Sequence, residues 1–328
     1  MSFPVQRPRR LRIDSRLRKM VRQVSVLPHQ LIYPIFAVED LGEPREISAM
    51  PGQMHWPVKK IHEPVASAMQ QGITAFIIFG VPTAKDAAGQ GACSESSVVC
   101  AAIKHIREHC PKAYIITDVC LCAYTDHGHC GILTANGCVD NDASNEILAR
   151  MALAHVKAGA DMVAPSDMMD GRIGAVRRML DQHGYQNIPI MSYSAKYASS
   201  FYGPFREAAG SAPGKGDRRG YQMDYAVSRD AEIELQLDFE EGADILMVKP
   251  GIAYLDILQT ARQKFSCPLA VYQVSGEYSM IKAAAEKGWV NERQVVLESL
   301  IAMRRAGADL ILTYFAPQIA GWLAMENQ

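Results

Sequence analysis

Short apolar runs rich in β-branched residues recur along the whole chain and alternate with stretches of helical periodicity. Eight such runs can be distinguished, and they begin at Leu31, Ala75, Tyr114, Met162, Ile188, Ile245, Leu269 and Leu310. Apolar residues spaced three and four positions apart predict helices between them, among others at 95–110, 145–157, 230–241 and 292–305. Strands that alternate with helices in this way predict a parallel sheet.

The tripeptide Gly-Ala-Asp precedes three of these runs, at 159–161, 242–244 and 307–309. Glycine commonly ends a helix, so each tripeptide is predicted to close a helix just before a strand. Eight parallel strands of nearly continuous apolar character predict an α/β fold of the closed (β/α)8 type, a TIM barrel. An open, doubly wound sheet is disfavoured because no glycine-rich dinucleotide fingerprint follows the first strand.

Composition is that of a globular enzyme able to bury a large core. The 328 residues are 48% hydrophobic and 21% charged, and the formal net charge is -1. This charge gives the body of the protein no general attraction to nucleic acid or anionic lipid. Neither a membrane-spanning run nor a secretory signal is evident. We therefore expect a cytoplasmic protein without nucleic-acid or membrane partners, whose eight cysteines are thiols.

The charge is uneven at the start of the chain. Between Arg7 and Arg22 lie seven arginines and Lys19, opposed only by Asp14. A mitochondrial transit peptide, a nucleic-acid-binding arm and an arm that contacts a neighbouring subunit all fit this composition. Pro4 and Pro8 interrupt the helix that a transit peptide needs, so we prefer the subunit arm. The predicted division is an arm at 1–28 and a catalytic barrel at 29–328.

Polar residues at the ends of the predicted strands mark the candidate site, since TIM-barrel enzymes carry their chemistry at the carboxyl ends of the strands. In chain order these residues are Asp118, Cys120, Cys122, Ser166, Asp167, Lys196, Lys249, Ser275 and Tyr314.

Two of these residues are lysines on adjacent strands, Lys196 and Lys249. A free lysine has a pKa of about 10.4 and is a poor amine nucleophile at pH 7. A second cation and an apolar wall both lower that pKa, so the pair is typical of a site that forms Schiff bases with ketones. An ordinary ion-paired lysine at a strand end is the alternative for either one.

Three cysteines follow the third strand as Cys120-x-Cys122 and Cys130. A strand period of two would put Cys120, Cys122 and Asp118 on one face, and the next loop would return Cys130 to them. Three thiolates with a fourth position open are typical of catalytic zinc. Because His129 or water could fill that position, a structural zinc site remains open. Cys100 and Cys138 are expected to be packed thiols.

A long connection follows Lys196, and its part at about 203–222 is rich in glycine and basic residues. Such loops are often lids, and Arg206, Lys215, Arg218 and Arg219 could bind carboxylates there. A merely solvated loop is the alternative.

The segments Gly242–Tyr254 (GADILMVKPGIAY) and Ser194–Tyr197 (SAKY) resemble the two lysine segments of the porphobilinogen synthase family, also called 5-aminolevulinate dehydratases. The resemblance extends over essentially the whole chain. The CxCx7C run resembles the zinc-dependent branch, and Asp140-Asn141-Asp142 resembles bacterial members.

The resemblance implies that Lys249 and Lys196 hold two 5-aminolevulinate molecules as imines, that Asp118 assists proton transfer, and that Cys120, Cys122 and Cys130 bind zinc. It places the following residues at substrate: Arg206, Arg218, Gln222, Ser275, Tyr314, Tyr202 and Ser166. It also implies a homo-octamer with wrapping arms, and an allosteric magnesium site at Glu234. On sequence alone, Glu234 is an exposed helical acid.

The predicted activity is the condensation of two 5-aminolevulinate molecules to porphobilinogen with loss of water, a lyase reaction of heme biosynthesis. Two alternatives stay open at this point. A class I Schiff-base aldolase on the same barrel would need a lysine but no cysteine cluster. A non-catalytic metal-binding or nucleic-acid-binding protein would use the cysteine loop and the basic arm alone.

Overall fold

The computed structural model describes residues 5–214 and 216–326. The strands are β1 (Leu31–Val38), β2 (Arg45–Glu46), β3 (Met54–Pro57), β4 (Ala75–Val81), β5 (Tyr114–Val119), β6 (Ile132–Leu133), β7 (Val139–Asp140), β8 (Met162–Pro165), β9 (Met191–Lys196), β10 (Ile245–Lys249), β11 (Leu269–Gln273) and β12 (Leu310–Thr313). The helices are α1 (Ser15–Met20), α2 (His62–Gln70), α3 (Val98–His109), α4 (Asn141–Ala158), α5 (Arg172–Gln182), α6 (Gly203–Ala208), α7 (Arg229–Glu240), α8 (Leu255–Lys264), α9 (Ser275–Glu286), α10 (Glu292–Ala306) and α11 (Ala316–Glu326).

Eight parallel strands form the barrel, in the order β8-β5-β4-β1-β12-β11-β10-β9. The ends of this sheet meet where Val163 donates its backbone N–H to Pro189 O at 3.3 Å, beside a bridge from Val163 to Ile190. Every residue of β9, β10 and β11 is buried, as expected for strands covered on both faces. The predicted TIM barrel is confirmed, and each of the eight apolar runs contains one barrel strand.

The predicted strands extend too far at two places that matter for the site. The third ends at Val119, so Cys120 and Cys122 lie beyond it, and Leu121–Ala123 form a 3-10 turn. The seventh ends at Gln273, and Ser275 is the first residue of α9. Two short hairpins, β2–β3 and β6–β7, were not predicted because their strands are too short to show a period.

The Gly-Ala-Asp tripeptides do more than end helices. Their glycines have φ values of 111°, 102° and 123°, in the region that favours glycine. Each following aspartate accepts a hydrogen bond from the backbone N–H of the preceding barrel strand or of the residue just before it: Asp161 from Ile115 at 2.7 Å, Asp244 from Ile190 at 2.8 Å and Asp309 from Leu269 at 2.9 Å. The repeated motif therefore ties consecutive strands together.

The connection between β9 and α7 is folded over the barrel end that carries the lysines. It contains a 3-10 turn at Ser200–Tyr202 and then α6, so the predicted lid at 203–222 begins with a helix. Gly214 N donates to His127 O at 3.0 Å, which fastens the lid to the cysteine loop. Gly128 has φ 72°, and a Cβ there would lie 2.4 Å from Ala212 O. Lys215 lies outside the described residues.

The N-terminal segment joins the core only near its end, where Val26 is buried. Neither the 3-10 turn at Pro8–Leu11 nor α1 has a buried residue. Within 5–214 and 216–326, no helix is long and apolar enough to cross a membrane.

Candidate active site

Lys196 and Lys249 are the last residues of β9 and β10 and are direct register partners across these parallel strands. Their exposed fractions are only 5% and 6%. Both amines are therefore held in the end of the barrel, away from bulk water, and both lie near the ring of Tyr193.

Aromatic rings surround the Lys249 amine. Its Nζ lies 4.4 Å from the ring centre of Tyr272, 5.0 Å from that of Tyr193, and 5.2 Å from those of Tyr202 and Phe205. Such rings attract a cation through their faces but solvate it far less well than water does. The surroundings therefore tolerate the neutral amine.

The pKa of Lys249 is lowered to about 7, first because the amine is buried and second because Lys196 is a neighbouring cation. About half of the amines are then neutral at pH 7, against roughly one in three thousand for an ordinary lysine. The sequence predicted both causes, and burial makes the larger contribution. Lys196 itself donates a hydrogen bond to the backbone oxygen of Ser166 and lies 5.6 Å from the ring centre of Tyr193.

Asp118 lies near both lysines, one residue before the end of β5. Burial raises the pKa of its carboxyl to about 6, and a hydrogen bond with Ser166 and the charges of Lys196 and Lys249 partly oppose that rise. A carboxyl whose pKa is close to neutral can both take up and release a proton at physiological pH.

The sulfur atoms of Cys120, Cys122 and Cys130 lie within 4.8 Å of one another, and all three residues are buried. The prediction that strand periodicity aligns Cys120 and Cys122 is wrong, because the 3-10 turn after β5 replaces the strand there. The turn nevertheless brings both sulfurs to the same side. Hydrogen bonds from Cys120 and Cys122 lower the pKa of Cys130, and the charge of Arg218 lowers it further.

The loop that returns Cys130 is held by its own hydrogen bonds. Thr125 Oγ1 donates to His129 O at 2.8 Å, and Cys130 N donates to the Tyr221 hydroxyl at 3.3 Å. Nδ1 of the His129 ring lies within hydrogen-bond distance of the same hydroxyl, at 3.2 Å. Among the described residues, the three cysteines form a group whose ligand atoms are close enough to bind one metal ion, and His129 is not part of that group. Cys100 is buried as predicted, but Cys138 is exposed because it follows the turn of the β6–β7 hairpin.

Arg218, Arg206 and Gln222 offer unused polar atoms at the lid. Arg218 is 5% exposed and donates to Gly128 O at 2.8 Å and to Ser211 O at 2.5 Å. The Nε atoms of Arg206 and Arg218 and both amide atoms of Gln222 are buried without a hydrogen-bond partner among the described residues. Unpaired buried polar atoms are costly, so these atoms indicate a ligand that forms hydrogen bonds with them. Arg219 is exposed beside Asp217, at 3.7 Å.

The remaining predicted binding residues lie close to the lysines. The Tyr202 hydroxyl donates to Lys249 O at 3.3 Å, and the hydroxyls of Tyr314 and Tyr272 are 3.0 Å apart. Ser275 Oγ accepts from Phe205 N at 2.9 Å, which positions α6 over the barrel.

Glu234 lies elsewhere, in a groove between α7, the lid and the segment before α5, together with Asp170 and Tyr221. The expectation that Glu234 is exposed is wrong, because the side chain is partly covered. Burial raises its pKa to about 7, and the acidic neighbours Asp238 and Asp170 contribute. No set of three metal-ligand groups forms around Glu234 among the described residues.

Glu277 was not predicted as part of the site. It accepts hydrogen bonds from Val274 N at 2.7 Å, Ile252 N at 2.5 Å and Gly251 N at 3.4 Å, so it fixes the loop directly after Lys249. Burial raises its pKa to about 7. An acid in the first turn of a helix is a sequence signal that could have found it, had α9 been predicted to start at Ser275.

The chain is similar to proteins of one enzyme family over nearly its whole length. A family model described as delta-aminolevulinic acid dehydratase matches residues 5–322. The enzyme of that name from Bacillus subtilis is 49% identical, covering 99% of this chain and 100% of the relative. That from Archaeoglobus fulgidus is 48% identical, covering 97% and 98%.

A solved structure is similar over nearly the whole fold. It is delta-aminolevulinic acid dehydratase (porphobilinogen synthase) from Toxoplasma gondii ME49, in complex with the reaction product porphobilinogen. Its TM-score is 0.96 and its identity 43%, covering 98% of this chain and 93% of that one. The chain therefore belongs to the delta-aminolevulinic acid dehydratase family, as its lysine segments had indicated.

Proposed function

We propose that the protein is a porphobilinogen synthase, a lyase that condenses two molecules of 5-aminolevulinate to porphobilinogen with loss of water. The observation that carries the proposal is the pair of buried lysines, Lys196 and Lys249, in register at the ends of adjacent strands. Membership of the family supports the same activity.

In this proposal, the neutral Lys249 amine adds to the ketone carbon of one 5-aminolevulinate. The ketone oxygen leaves as water, and the product is an imine linked to Lys249. Lys196 does the same with the second substrate. Because the two strands are in register, the two bound substrates are close enough to form carbon–carbon and carbon–nitrogen bonds with each other.

Asp118 is proposed to move protons during these steps. Imine formation needs a proton on the departing oxygen, and formation of the carbon–carbon bond needs a proton removed from carbon. The Asp118 carboxyl, with its pKa raised to about 6, is near both amines and can serve either purpose.

Arg206, Arg218 and Gln222 are proposed to bind a substrate carboxylate. Their unpaired donors are buried at the lid, and guanidinium groups form strong, directional hydrogen bonds with carboxylates. A bound substrate would complete these bonds and so favour the closed lid. Tyr202, Tyr314, Ser166 and Ser275 would line the rest of the pocket.

The cysteine cluster fits zinc. Three buried thiols with mutual sulfur distances below 4.8 Å, beside the cationic Arg218, match the ligand type and number of a catalytic zinc site. Cys120, Cys122 and Cys130 would hold the ion. When bound, zinc would supply a Lewis acid for the amine or carbonyl of the second substrate.

Two further parts of the proposal concern assembly and regulation. Exposed apolar side chains on the N-terminal arm, at Leu11, Ile13 and Met20, suit burial against a neighbouring subunit, in keeping with an arm at 1–28 and a homo-octamer. The groove at Glu234 would take the allosteric magnesium, with ligands completed by water or by another subunit.

The two alternatives are disfavoured. A class I aldolase does not account for three buried cysteines beside the lysines. A non-catalytic metal-binding or nucleic-acid-binding protein does not account for the buried lysine pair.

The test is a colorimetric assay for the pyrrole product from 5-aminolevulinate, with and without a zinc chelator. We expect product from the untreated protein, loss of activity with the chelator, and recovery on addition of zinc. A protein that contains zinc and is correctly folded but forms no pyrrole would contradict the proposed activity. Full activity after zinc removal would contradict only the role of the metal.

A further inference from the structure

Three histidines form a second cluster in the helical layer, separate from the lysine and cysteine residues. His62 is the first residue of α2, and His105 and His109 lie one turn apart on α3. One ring nitrogen from each lies within 4.8 Å of the others. His62 Nδ1 and His105 Nε2 are 2.9 Å apart, and the ring centres of the three pairs are separated by 4.2 to 5.0 Å.

The outer nitrogens of two of these rings are already oriented by the backbone. His109 Nδ1 donates to His105 O at 2.9 Å, which leaves its Nε2 unprotonated in the neutral ring. His105 also hydrogen bonds to the backbone of Lys59. A hydrogen bond from the second ring nitrogen to a carbonyl is the usual way in which proteins orient a metal-binding histidine.

The arrangement of the three rings disfavours full protonation of the cluster. The 2.9 Å contact between His62 and His105 requires one nitrogen to be unprotonated, because two N–H groups cannot face each other. Burial lowers the pKa of His105, and the neighbouring rings of His109 and His62 lower it further. The unprotonated nitrogen of this pair can act as a metal ligand.

We propose that His62, His105 and His109 form a binding site for a divalent transition metal, zinc above all, that links the start of α2 to the end of α3. Three imidazole nitrogens are the donor set of zinc, copper and nickel rather than of magnesium or calcium. His109 is exposed, so water can reach the ion and fill its fourth position. The site is independent of the proposed activity.

The matched control is His183. It is exposed and follows the last residue of α5, and its Nδ1 donates to Met179 O at 2.8 Å, the same local bond that His109 makes. It differs in that it is not part of a group with ligand spacing among the described residues. Alanine at either position removes an exposed histidine at the end of a helix. Only His109→Ala also removes a member of the cluster.

The experiment measures zinc bound per chain in the full-length protein by equilibrium dialysis and elemental analysis at pH 7.5. We expect His109→Ala to hold one zinc fewer per chain than the unsubstituted protein, and His183→Ala to hold the same number. Excess zinc should raise the thermal unfolding midpoint of the unsubstituted protein and of His183→Ala. The rise should be smaller for His109→Ala. Equal zinc content in all three, or equal rises of the midpoint, would overturn the proposal.

Discussion

Burial of the Lys249 amine makes it reactive but also destabilises the folded protein. The substitution Lys249→Met measures the size of that destabilisation. Methionine has a similar length, fits an apolar surrounding and has no titratable group. In the unfolded chain Lys249 has its ordinary pKa of 10.5, and in the folded protein about 7. Between these values the unfolded chain binds more protons than the folded one, so this group makes stability rise as pH rises from 7 towards 10.5.

The magnitude follows from the two pKa values. A pKa unit corresponds to about 1.36 kcal/mol. At pH 7, the lowered pKa of Lys249 reduces the free energy of unfolding by about 4 kcal/mol, compared with a pH above both pKa values. At pH 9.5 the reduction is about 1.4 kcal/mol. The stability gained by Lys249→Met should therefore be about 3 kcal/mol larger at pH 7 than at pH 9.5.

Urea unfolding at the two pH values, followed by tryptophan fluorescence, gives the required free energies. Lys112→Met is the control, because Lys112 is exposed and the exchange there is the same. We expect no comparable pH-dependent difference at position 112. Equal stability differences at pH 7 and 9.5 for Lys249→Met would show that the amine is charged in the folded protein, and would refute the reasoning.

Two other substitutions test the surrounding structure. His155 is fully buried, its ring nitrogens have no partner among the described residues, and burial lowers its pKa to about 3. As pH falls below 6.5, this histidine is protonated in the unfolded chain before it is protonated in the folded protein. His155→Leu should therefore stabilise the folded protein by about 2 kcal/mol more at pH 5 than at pH 8, measured by urea unfolding. An equal effect at the two pH values would contradict this. In Gly276→Ala the new Cβ would lie 2.5 Å from Phe201 O, so we expect a loss of about 1–3 kcal/mol of stability and a raised KM. At Gly203 the backbone is helical and the space for a Cβ is open, so Gly203→Ala should stabilise the fold by about 0.4–1 kcal/mol and leave KM unchanged.

The barrel could be predicted because its strands are covered on both faces. Their apolar runs, such as Ile245–Val248, are therefore nearly continuous and easy to recognise. The same regularity placed Lys196 and Lys249 together, because residues that end adjacent parallel strands must be neighbours. The Gly-Ala-Asp repeats marked helix ends, but their aspartate bonds to the neighbouring strand needed the structure.

The surroundings of the lysines could not be predicted. The rings around Lys249 come from β9, β11, α6 and the turn before it, and no sequence spacing connects these elements. The partly buried position of Glu234 likewise depends on how the lid packs against α7. The end of β5 at Val119 was missed because Cys120 and Cys122 continue the alternating pattern of the strand.

The most direct test of the account is where 5-aminolevulinate becomes attached. Borohydride reduces an imine to a stable amine, so treatment at pH 7 with substrate, followed by peptide mass spectrometry, locates the reacting lysine. We predict a reduced adduct on the peptide that contains Lys249, and loss of that adduct in the folded Lys249→Met protein. Undiminished attachment of substrate in this variant would contradict the claim that the buried, neutral amine of Lys249 is the nucleophile.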